Sequence, residues 1–579
     1  MDAMTPAPHV GALAVILSLS VVLTALVTVL LLRQYGQAVI AAMQRKAGAT
    51  VPTSPPAPPV ELSDGPIEIH APALLLVDGN APHVLAAPAR LLHRRTRRGP
   101  WLSVLVYTLA GLAYAVVIAT LWLRVSPNRA AYPPAVQMTL GVILVWIYAW
   151  PIVLTVNVIV PASWKVHAVR FLLYFTGLYA VMRGGWEDMP IVLLVAIGIP
   201  TILVTALPRR GVRVVAPLVF VYMVLWIGAV RVLAGIFTEN RDVALLVELV
   251  GAALIVGVAL SGHGWWTMSW LGWLHERKHI SDRSLVVDAI WLSFTLLVVL
   301  EFAAVGTESA LLALSSFVVF QLVSLLGFAV VNRVLGRGPG YRLLLLRVFD
   351  TTERSERLMA QVGARWRHAG SIQLIAGADL ALENLVPRAL LEFVQGRLDD
   401  RYIASQGDLE RRLATADLAP DRDGRFRVTD FFCYHDTWQM TVARLVGHSD
   451  TVLMDLRGFG RSHRGCVFEL QLLSRLAALH RTVLIVDQQT DRAFLTETLG
   501  ESRVALAAES ASEPPEADQP TACFLSRDDA AGVEVVLRSL ATIASRQPDR
   551  PTRAKPDRAD RDTRPNNDSG DGVVAVAGG

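Results

Sequence analysis

Cysteine is scarce in this chain, and its scarcity excludes two common kinds of protein. Three cysteines occur among 579 residues, and none belongs to a CxxC pair or to a His/Cys cluster with metal-ligand spacing. The sequence therefore predicts neither a disulfide-stabilised secreted domain nor a metal site. Because Cys433, Cys466 and Cys523 all fall in the polar second half, we interpret them as reduced thiols in a reducing compartment.

Charged residues are also few, and their positive and negative charges nearly balance. Charged residues make up 18% of the chain and the formal net charge is +4, which does not indicate a nucleic-acid partner. Hydrophobic residues make up 53% and the mean hydropathy is +0.43, so the chain is more apolar than ordinary soluble proteins. The composition predicts a membrane protein that carries a soluble part.

No lysine or arginine precedes the first long apolar run, 10–32. A secretory signal peptide has a shorter apolar core behind basic residues, so we interpret the run as a retained membrane helix with its N-terminus outside. Eight further stretches have the length that a bilayer requires: roughly 101–123, 136–160, 166–182, 190–207, 214–236, 243–261, 285–305 and 309–331. The sequence thus predicts an α-helical transmembrane domain, 1–331, with about nine helices.

Basic residues indicate the orientation of these helices. With the N-terminus outside, sixteen Lys and Arg residues fall on the inner side and four on the outer side, Arg124, Arg129, Arg183 and Arg241. Inner loops are rich in Lys and Arg, so the pattern predicts a multi-pass protein of the bacterial inner (plasma) membrane with a cytoplasmic C-terminal half. The long inner loop 33–99 contains "VPTSPPAPP", which we interpret as a proline-rich linker with no pattern of its own.

Tryptophans are concentrated in "GWWTMSWLGWLHERKH", 264–279, directly before a basic cluster. Because tryptophan favours the headgroup region, this stretch predicts a helix lying in the membrane plane rather than an aromatic ligand site. Several charges fall inside predicted spans, among them Arg231, Glu248 and Glu301. Such charges are functional candidates, but structural pairing, in particular of Arg231 with Glu248, explains them better. The spans show no pair of short, glycine-interrupted segments of the transporter kind.

The second half alternates strand-like and helix-like segments. Strands are predicted at 342–349, 371–377, 425–432, 451–456 and 482–487. Helices are predicted at 351–368, 384–403, 435–448, 463–480 and 491–500. This alternation predicts an α/β domain over 332–546, with a mostly parallel sheet and helices on both faces. We interpret 404–424 as irregular and 547–579 as a disordered tail.

Acidic residues follow three of the predicted strands: Asp350, Asp455 and Asp487. In open α/β sheets, ligands bind at the carboxyl ends of the strands. Capping of the next helix or formation of a turn explains each aspartate taken alone. Asp350 and Asp455 are nevertheless candidates for binding a ligand at this edge of the sheet.

A glycine-rich loop follows Asp455 and leads into the predicted helix 463–480. Its Gly458 and Gly460 would let the backbone approach a ligand closely, and Arg457 would offer positive charge to a phosphate. On a helical wheel, Glu469 falls inside the leucine-rich face of the helix. A buried carboxylate is costly unless it is paired or hydrogen-bonded. The placement predicts that Glu469 lines a cleft with Asp455, stabilised by the N-terminal end of its helix.

The segments "HSDTVLMDLRGF" and "GCVFELQLL" resemble two related flavodoxin-like families. Cys466 and Glu469 have the C-x-x-E spacing of TIR domains, whereas Asp450 and Asp455 follow the pattern of nucleoside 2-deoxyribosyltransferase-like domains. The resemblance implies a flavodoxin-like, TIR-like domain over about 342–500. It also implies a catalytic role for Glu469 at the anomeric carbon of NAD or a nucleoside. The membrane half, with "VFD", "GSIQLIAGADL" and "VTDFF", resembles a group of uncharacterised bacterial polytopic membrane proteins.

Three functions remain open on the sequence alone. The first is a membrane-anchored, TIR-like nucleotide-binding domain that cleaves or transfers an N-glycosidic bond, with NAD or a nucleotide as its ligand. The second is a non-enzymatic signalling or scaffold protein that forms homo-oligomers through this domain. The third is a transporter or channel with a cytoplasmic regulatory domain. All three require the lipid bilayer as a partner.

Overall fold

The structure is a computed structural model, and it describes most of the chain. The described residues are 8–44, 75–77, 86–126, 132–160, 164–182, 264–303, 305–336, 340–347, 353–376, 402–416, 418–434, 436–510, 519–525 and 530–546, with isolated positions within 216–251 and 393–398. The predicted spans 190–207, 214–236 and 243–261 lie wholly or mostly outside these residues. The predicted pair of Arg231 with Glu248 also lies outside them, as does the tail.

The first half is built of helices. They are α1 (Pro8–Gln44), α2 (Ala87–Val125), α3 (Pro134–Tyr148), α4 (Pro151–Ile159), α5 (Trp164–Met182), α6 (Gly264–Glu276), α7 (Asp282–Ala303) and α8 (Thr307–Leu335). Within the described residues, five stretches are long and apolar enough to cross a membrane: Val22–Ala42, Ala87–Val125, Pro134–Ile159, Asp282–Ala303 and Thr307–Leu335. Membrane helices are thus supported by length and composition. The number nine stays a prediction.

Aromatic side chains form the core of this helical half. Trp291 of α7 is fully buried and stacks on Phe320 of α8 with ring centroids 4.6 Å apart. Its indole N–H donates to the Thr155 hydroxyl of α4 at 3.0 Å. The predicted intramembrane charge Glu301 accepts a hydrogen bond from the Tyr148 hydroxyl at 3.2 Å. This contact favours a structural role for Glu301.

The second half contains a parallel sheet, as predicted. Its strands are β1 (Leu75–Val77), β2 (Tyr341–Arg347), β3 (Gly370–Ala376), β4 (Tyr402–Ile403), β5 (Val428–Cys433), β6 (Thr451–Asp455), β7 (Thr482–Val486) and β8 (Thr521–Phe524). They lie in the order β1-β8-β7-β6-β2-β3-β5-β4, and every neighbouring pair is parallel.

Helices cover both faces of the sheet, which the sequence also predicted. They are α9 (Glu353–Trp366), α10 (Gln406–Ala414), α11 (Trp438–His448), α12 (Arg464–Arg475), α13 (Arg492–Ser510) and α14 (Ala530–Ala544). Buried residues of α9 and α14 form the core on one face. Buried residues of α10, α11, α12 and α13 form the core on the other face. Both faces of a parallel sheet are normally covered in this way.

Several predicted boundaries differ from the structure. The predicted helix 463–480 ends at Arg475, and the next residue, Leu476, is 42% exposed. The segment 404–424 contains α10, with Ser405 as its N-cap. The predicted helix 384–403 ends in strand β4. Short elements of this kind are decided by tertiary contacts, which local patterns do not report.

The proline-rich stretch 51–59, predicted to be a linker, lies outside the described residues. The parts of the loop 33–99 that the structure describes have regular secondary structure. Helix α1 continues to Gln44, helix α2 begins at Ala87, and strand β1 between them pairs with β8 at one edge of the sheet. Tyr35 and Leu92, from the two helices, are buried in the core of the C-terminal domain. The region before the second span is therefore part of that domain.

The amino ends of the central strands point toward the membrane helices. Strand β2 follows α8 after a short connection, and the Leu335 carbonyl at the end of α8 accepts a hydrogen bond from Arg95 of α2 at 3.2 Å. His368, two residues before β3, lies against α2 so closely that a Cβ added to Gly99 would be 2.4 Å from its ring. Because the strands are parallel, their carboxyl ends lie at the opposite edge of the sheet.

Gly370, the first residue of β3, provides a test of the β2–β3 pairing. A Cβ at this position would lie 1.9 Å from the Tyr341 carbonyl oxygen, and a backbone atom cannot move aside. Gly370→Ala is therefore expected to destabilise the protein by roughly 2–3 kcal/mol. The apparent melting temperature of the detergent-purified protein measures this effect.

Gly363 is the matched control, because it lies inside α9 and a Cβ there would meet only the Ile372 side chain, at 3.5 Å. Gly363→Ala is expected to be neutral or to stabilise the protein by about 0.5–1 kcal/mol, since alanine favours helix. Equal losses of stability in the two variants would contradict the close strand pairing at Gly370.

Candidate functional site

The candidate site lies at the carboxyl ends of three neighbouring strands. Strand β6 is flanked by β2 and β7; Arg347 is the register partner of Asp455 on one side, and Ile485 on the other. The sequence expected the strands ending near 349, 455 and 487 to meet at one edge, and they are neighbours. Asp350, which follows β2, lies outside the described residues.

Asp455 and Arg457 form a buried ion pair. The Arg457 Nε donates to Asp455 Oδ1 at 2.8 Å, and its Nη2 donates to Oδ2 at 2.7 Å. The two side chains are 3% and 6% exposed. The guanidinium that the sequence assigned to a phosphate thus holds the carboxylate two residues before it. Because Arg457 is only two residues after Asp455, its side chain can turn back and bind the carboxylate. The sequence motif alone did not reveal this contact.

Asp487 organises the loop that follows β6. Its Oδ1 accepts backbone N–H groups from Gly458 at 3.2 Å, Gln489 at 3.0 Å and Thr490 at 3.1 Å. The Thr490 hydroxyl in turn donates to the Leu456 carbonyl at 3.0 Å. Asp487 therefore has the turn-forming role that explains such aspartates individually.

The two loop glycines have different environments. Gly458 has φ +71° with open space where a Cβ would be, so the left-handed backbone explains glycine there. The N–H group of Gly460 donates to His463 Nδ1 at 3.2 Å. Both N–H groups are thus used within the protein, by Asp487 and by His463. The loop is held by its own hydrogen bonds up to Arg464, where α12 begins.

Glu469 lies on the buried face of α12. It is 4% exposed and shares this face with the buried residues Cys466, Leu470 and Leu473. The C-x-x-E spacing puts Cys466 and Glu469 on one side of the helix, since residues three apart are neighbours there. The burial of Glu469 agrees with its position on the apolar face of the helical wheel. Its buried neighbours on this face belong to the core between the sheet and helices α10, α11, α12 and α13.

The Glu469 carboxyl lacks the stabilisation expected for a buried charge. Its Oε2 atom has no hydrogen-bond partner among the described residues. Burial raises the pKa of Glu469 to about 8, so the group is mostly neutral at pH 7. Glu469 is the sixth residue of α12, beyond the first turn where free N–H groups stabilise an anion. The predicted help from the helix N-terminus is therefore absent.

Five of the six predicted site residues lie on β6, the following loop and α12: Asp455, Arg457, Gly458, Gly460 and Glu469. The first four are engaged in the internal contacts of the loop, and Glu469 alone carries an unused oxygen. The predicted cleft between Glu469 and Asp455 stays a prediction. Among the described residues, no group of three or more His, Cys, Asp or Glu side chains is arranged to hold a metal ion.

Comparisons of the chain with protein-family models, with curated proteins and with solved structures found no match. Its function is therefore inferred from its own residues and their arrangement.

Proposed function

We propose that the protein is an integral inner-membrane protein whose cytoplasmic, flavodoxin-like domain binds a nucleotide or nucleoside at Glu469. The proposal includes the nine spans and the outside N-terminus expected from the sequence. The pairing of β1 with β8 supports this orientation, because it requires the loop between the first two spans and the C-terminal domain to lie on the same side of the membrane.

The strand order supports a flavodoxin-like fold. The outer strands β1, β4 and β5 lie beyond β8 on one side and beyond β3 on the other. Without them, and with the strands numbered along the chain from β2, the order β3-β2-β6-β7-β8 becomes 2-1-3-4-5. This is the flavodoxin-like order, and its ligands bind where the winding reverses. In this sheet the reversal falls between β2 and β6, beside the loop that leads to Glu469.

The unpaired Oε2 atom of Glu469 is the observation that carries the proposal. An unsatisfied buried polar group costs about 1–3 kcal/mol, and a ribose hydroxyl donating to this oxygen would remove that cost. Natural proteins keep such destabilising groups during evolution chiefly where function requires them. A carboxyl with a raised pKa in an apolar site is also typical of catalytic acids.

The reaction implied by the TIR-like resemblance is cleavage of an N-glycosidic bond. The bond between the base nitrogen and the ribose C1′ breaks, its electron pair leaves with the base, and water or another acceptor adds to C1′. Ionised Glu469 would stabilise the positive charge that develops on the ribose. The neutral form would donate a hydrogen bond.

Incubating full-length protein in detergent with NAD, and separately with nucleosides, tests this function. We expect ligand-dependent thermal stabilisation and release of nicotinamide or a nucleobase, measured by chromatography. Glu469→Gln is expected to lower base release at least about 100-fold, as the loss of a group that acts only in the transition state does. Glu497→Gln, which changes an exposed glutamate of α13 paired with Arg461, is the control and should keep wild-type turnover.

Two outcomes would contradict parts of this proposal. Ligand stabilisation without base release would leave a nucleotide-binding module and remove the enzyme. Absence of stabilisation by every ligand, or equal turnover in the wild type and Glu469→Gln, would remove Glu469 from the function altogether.

A membrane signalling protein is the second candidate, and one observation favours it. Helices α1 and α2 continue without interruption from their apolar stretches into the C-terminal domain. Tyr402 of β4 donates to the Val39 carbonyl of α1 at 3.1 Å, and His93 of α2 pairs with Glu534 of α14 at 2.8 Å. A displacement of either membrane helix would therefore move the sheet directly. Homo-oligomer formation through the domain belongs to this candidate.

A further inference from the structure

Three chain segments meet where the C-terminal domain contacts the membrane helices: 281–283, 367–368 and 421–427. We refer to them together as the junction cluster. Ser281 donates its hydroxyl to Asp423 Oδ2 at 3.0 Å, which joins the first segment to the third. The Arg367 carbonyl accepts the Phe426 N–H at 2.7 Å, which joins the second to the third.

Two arginines in or beside this cluster are neutralised by carboxylates. Arg427 forms an ion pair with Asp421 at 2.9 Å and donates to the His275 carbonyl at 2.7 Å. Arg367 forms an ion pair with Asp282 at 3.0 Å. Such pairing is what a buried guanidinium requires.

Two further arginines are buried without such a match. Arg283 and Arg425 are 5% and 7% exposed, yet Nη1 of Arg283 and Nε of Arg425 have no hydrogen-bond partner within the described part of the chain. The carboxylate of Asp423 lies in their field, but its two oxygens accept from the Ser281 hydroxyl and from the Arg425 backbone N–H, at 3.2 Å. Asp282 also acts on Arg425, but its oxygens are bonded to Arg367 and to His275. No carboxylate is therefore left to pair with Arg283 and Arg425 as Asp421 pairs with Arg427.

His368 adds a third unused donor or acceptor. It is 6% exposed, and its Nε2 has no partner among the residues described. Burial, together with the charges of Arg283 and Arg425, holds the pKa of His368 well below its usual range. Burial and the charges of Arg283 and Arg367 likewise lower the pKa of Arg425. The hydrogen bonds that join the segments bring these groups together. Ser281, two residues before Arg283, is bonded to Asp423, and Phe426, next to Arg425, is bonded to the residue before His368.

We propose that Arg283, Arg425 and His368 form a binding site for a phosphate group at the membrane face of the domain. A phosphate supplies the missing negative charge, and its oxygens accept several hydrogen bonds from guanidinium groups. It would satisfy the unpartnered nitrogens of all three side chains.

The position of the site is that of lipid headgroups. Arg283 lies in the first turn of α7, and His368 packs on α2 at Gly99. The neighbouring helix α6, which bears His275, exposes three tryptophans: Trp266, Trp270 and Trp273. Exposed tryptophans favour the membrane interface. The phosphate therefore comes from an anionic phospholipid or from free phosphate in the same layer.

Thermal unfolding of delipidated full-length protein in an uncharged detergent tests the site. The probes are phosphatidylglycerol compared with phosphatidylcholine, and sodium phosphate compared with sodium chloride at equal ionic strength. We expect a melting temperature that rises with one of the two phosphate sources. Stabilisation by phosphatidylglycerol alone identifies a lipid, and stabilisation by phosphate alone identifies a free anion.

Substitutions at the third segment assign the effect to the site. Arg425→Gln is expected to weaken the effective probe at least tenfold, and Arg425→Lys to weaken it less. Arg422→Gln is the matched control, because Arg422 lies in the same segment but is exposed and contacts His279 at 3.0 Å. It should respond like the wild type. Arg283→Gln gives the same measurement from the membrane side, and it is expected to weaken the effective probe to a similar extent.

A second measurement separates ligand binding from a structural ion pair. Without either probe, Arg425→Gln should be at least as stable as the wild type, because it removes a buried charge that lacks its own counter-charge. A clear loss of stability there would show Arg425 to be a structural partner of Asp423 and would overturn the proposal. Absence of stabilisation by both probes, or an equal response in Arg425→Gln, would overturn it as well.

Discussion

Glu469→Gln is expected to raise the apparent melting temperature of the protein at pH 8.5 and to leave it nearly unchanged at pH 4.5. Burial raises the pKa of Glu469 from 4.5 to about 8. At low pH the carboxyl is protonated in both the folded and the unfolded state, so it makes no difference to stability. Between these pKa values only the unfolded state ionises, and folding loses roughly 1.4 kcal/mol per pH unit.

Glutamine has the shape of the neutral carboxyl but cannot ionise, so the variant avoids this loss. We expect the difference between variant and wild type to grow with pH up to about 8, reaching several degrees in melting temperature. Thermal unfolding of the detergent-purified protein over pH 4.5–8.5 measures it. Glu497→Gln, at an exposed position, should show no such trend. A stability difference that is constant with pH would mean that Glu469 is ionised in the folded protein.

This result bears on function because stability and activity then change in opposite directions. If Glu469 only fills space, Glu469→Gln should increase stability and leave ligand binding unchanged. If Glu469 contacts a ligand, the same substitution should increase stability but abolish ligand binding. Measuring both properties on one variant distinguishes these cases.

The isolated fragment 332–546 is expected to aggregate or to unfold without cooperativity. It lacks strand β1, which covers the β8 edge of the sheet. It also lacks Tyr35, Val39 and Leu92, which are buried in the core of the domain. Exposed apolar surface and an unpaired strand edge both favour aggregation. Size-exclusion chromatography and thermal unfolding of the purified fragment measure the outcome.

The matched comparison is a chain that ends at residue 546 but keeps the whole N-terminal half. That chain contains every described contact to α1, α2 and β1, so it should behave like the full-length protein in detergent. A soluble, monomeric fragment 332–546 with a cooperative transition would show that the membrane helices do not contribute to the stability of the domain. Activity assays on that fragment would then be informative as well.

Local patterns in the sequence predicted the elements that have strong periodicity. The apolar runs within the described residues lie in helices, and the alternation after residue 340 became a parallel sheet with helices on both faces. The wheel position of Glu469 predicted its burial for the same reason. Burial of one helix face or of whole strands leaves a repeat of about 3.6 residues or a continuous apolar run, which can be recognised in the sequence.

Such local patterns could not predict contacts between distant parts of the chain. Strand β1 has three residues, too few for a recognisable period, and it is a strand only because β8 lies beside it. In the sequence, the basic and acidic residues of the junction cluster resemble ordinary charged loop residues. Their contacts form only because the fold brings segments from three parts of the chain together.

The sequence by itself thus determined the class of each half, long apolar helices followed by a domain with a parallel sheet, because burial leaves periodic traces in local composition. Only the tertiary structure decided which charges are satisfied. It paired Arg457 with Asp455 and Arg427 with Asp421. It left Glu469, Arg283 and Arg425 with buried atoms that lack partners among the described residues. The physical reason is that hydrogen bonding and ion pairing depend on distances in space, and spacing along the chain does not encode those distances.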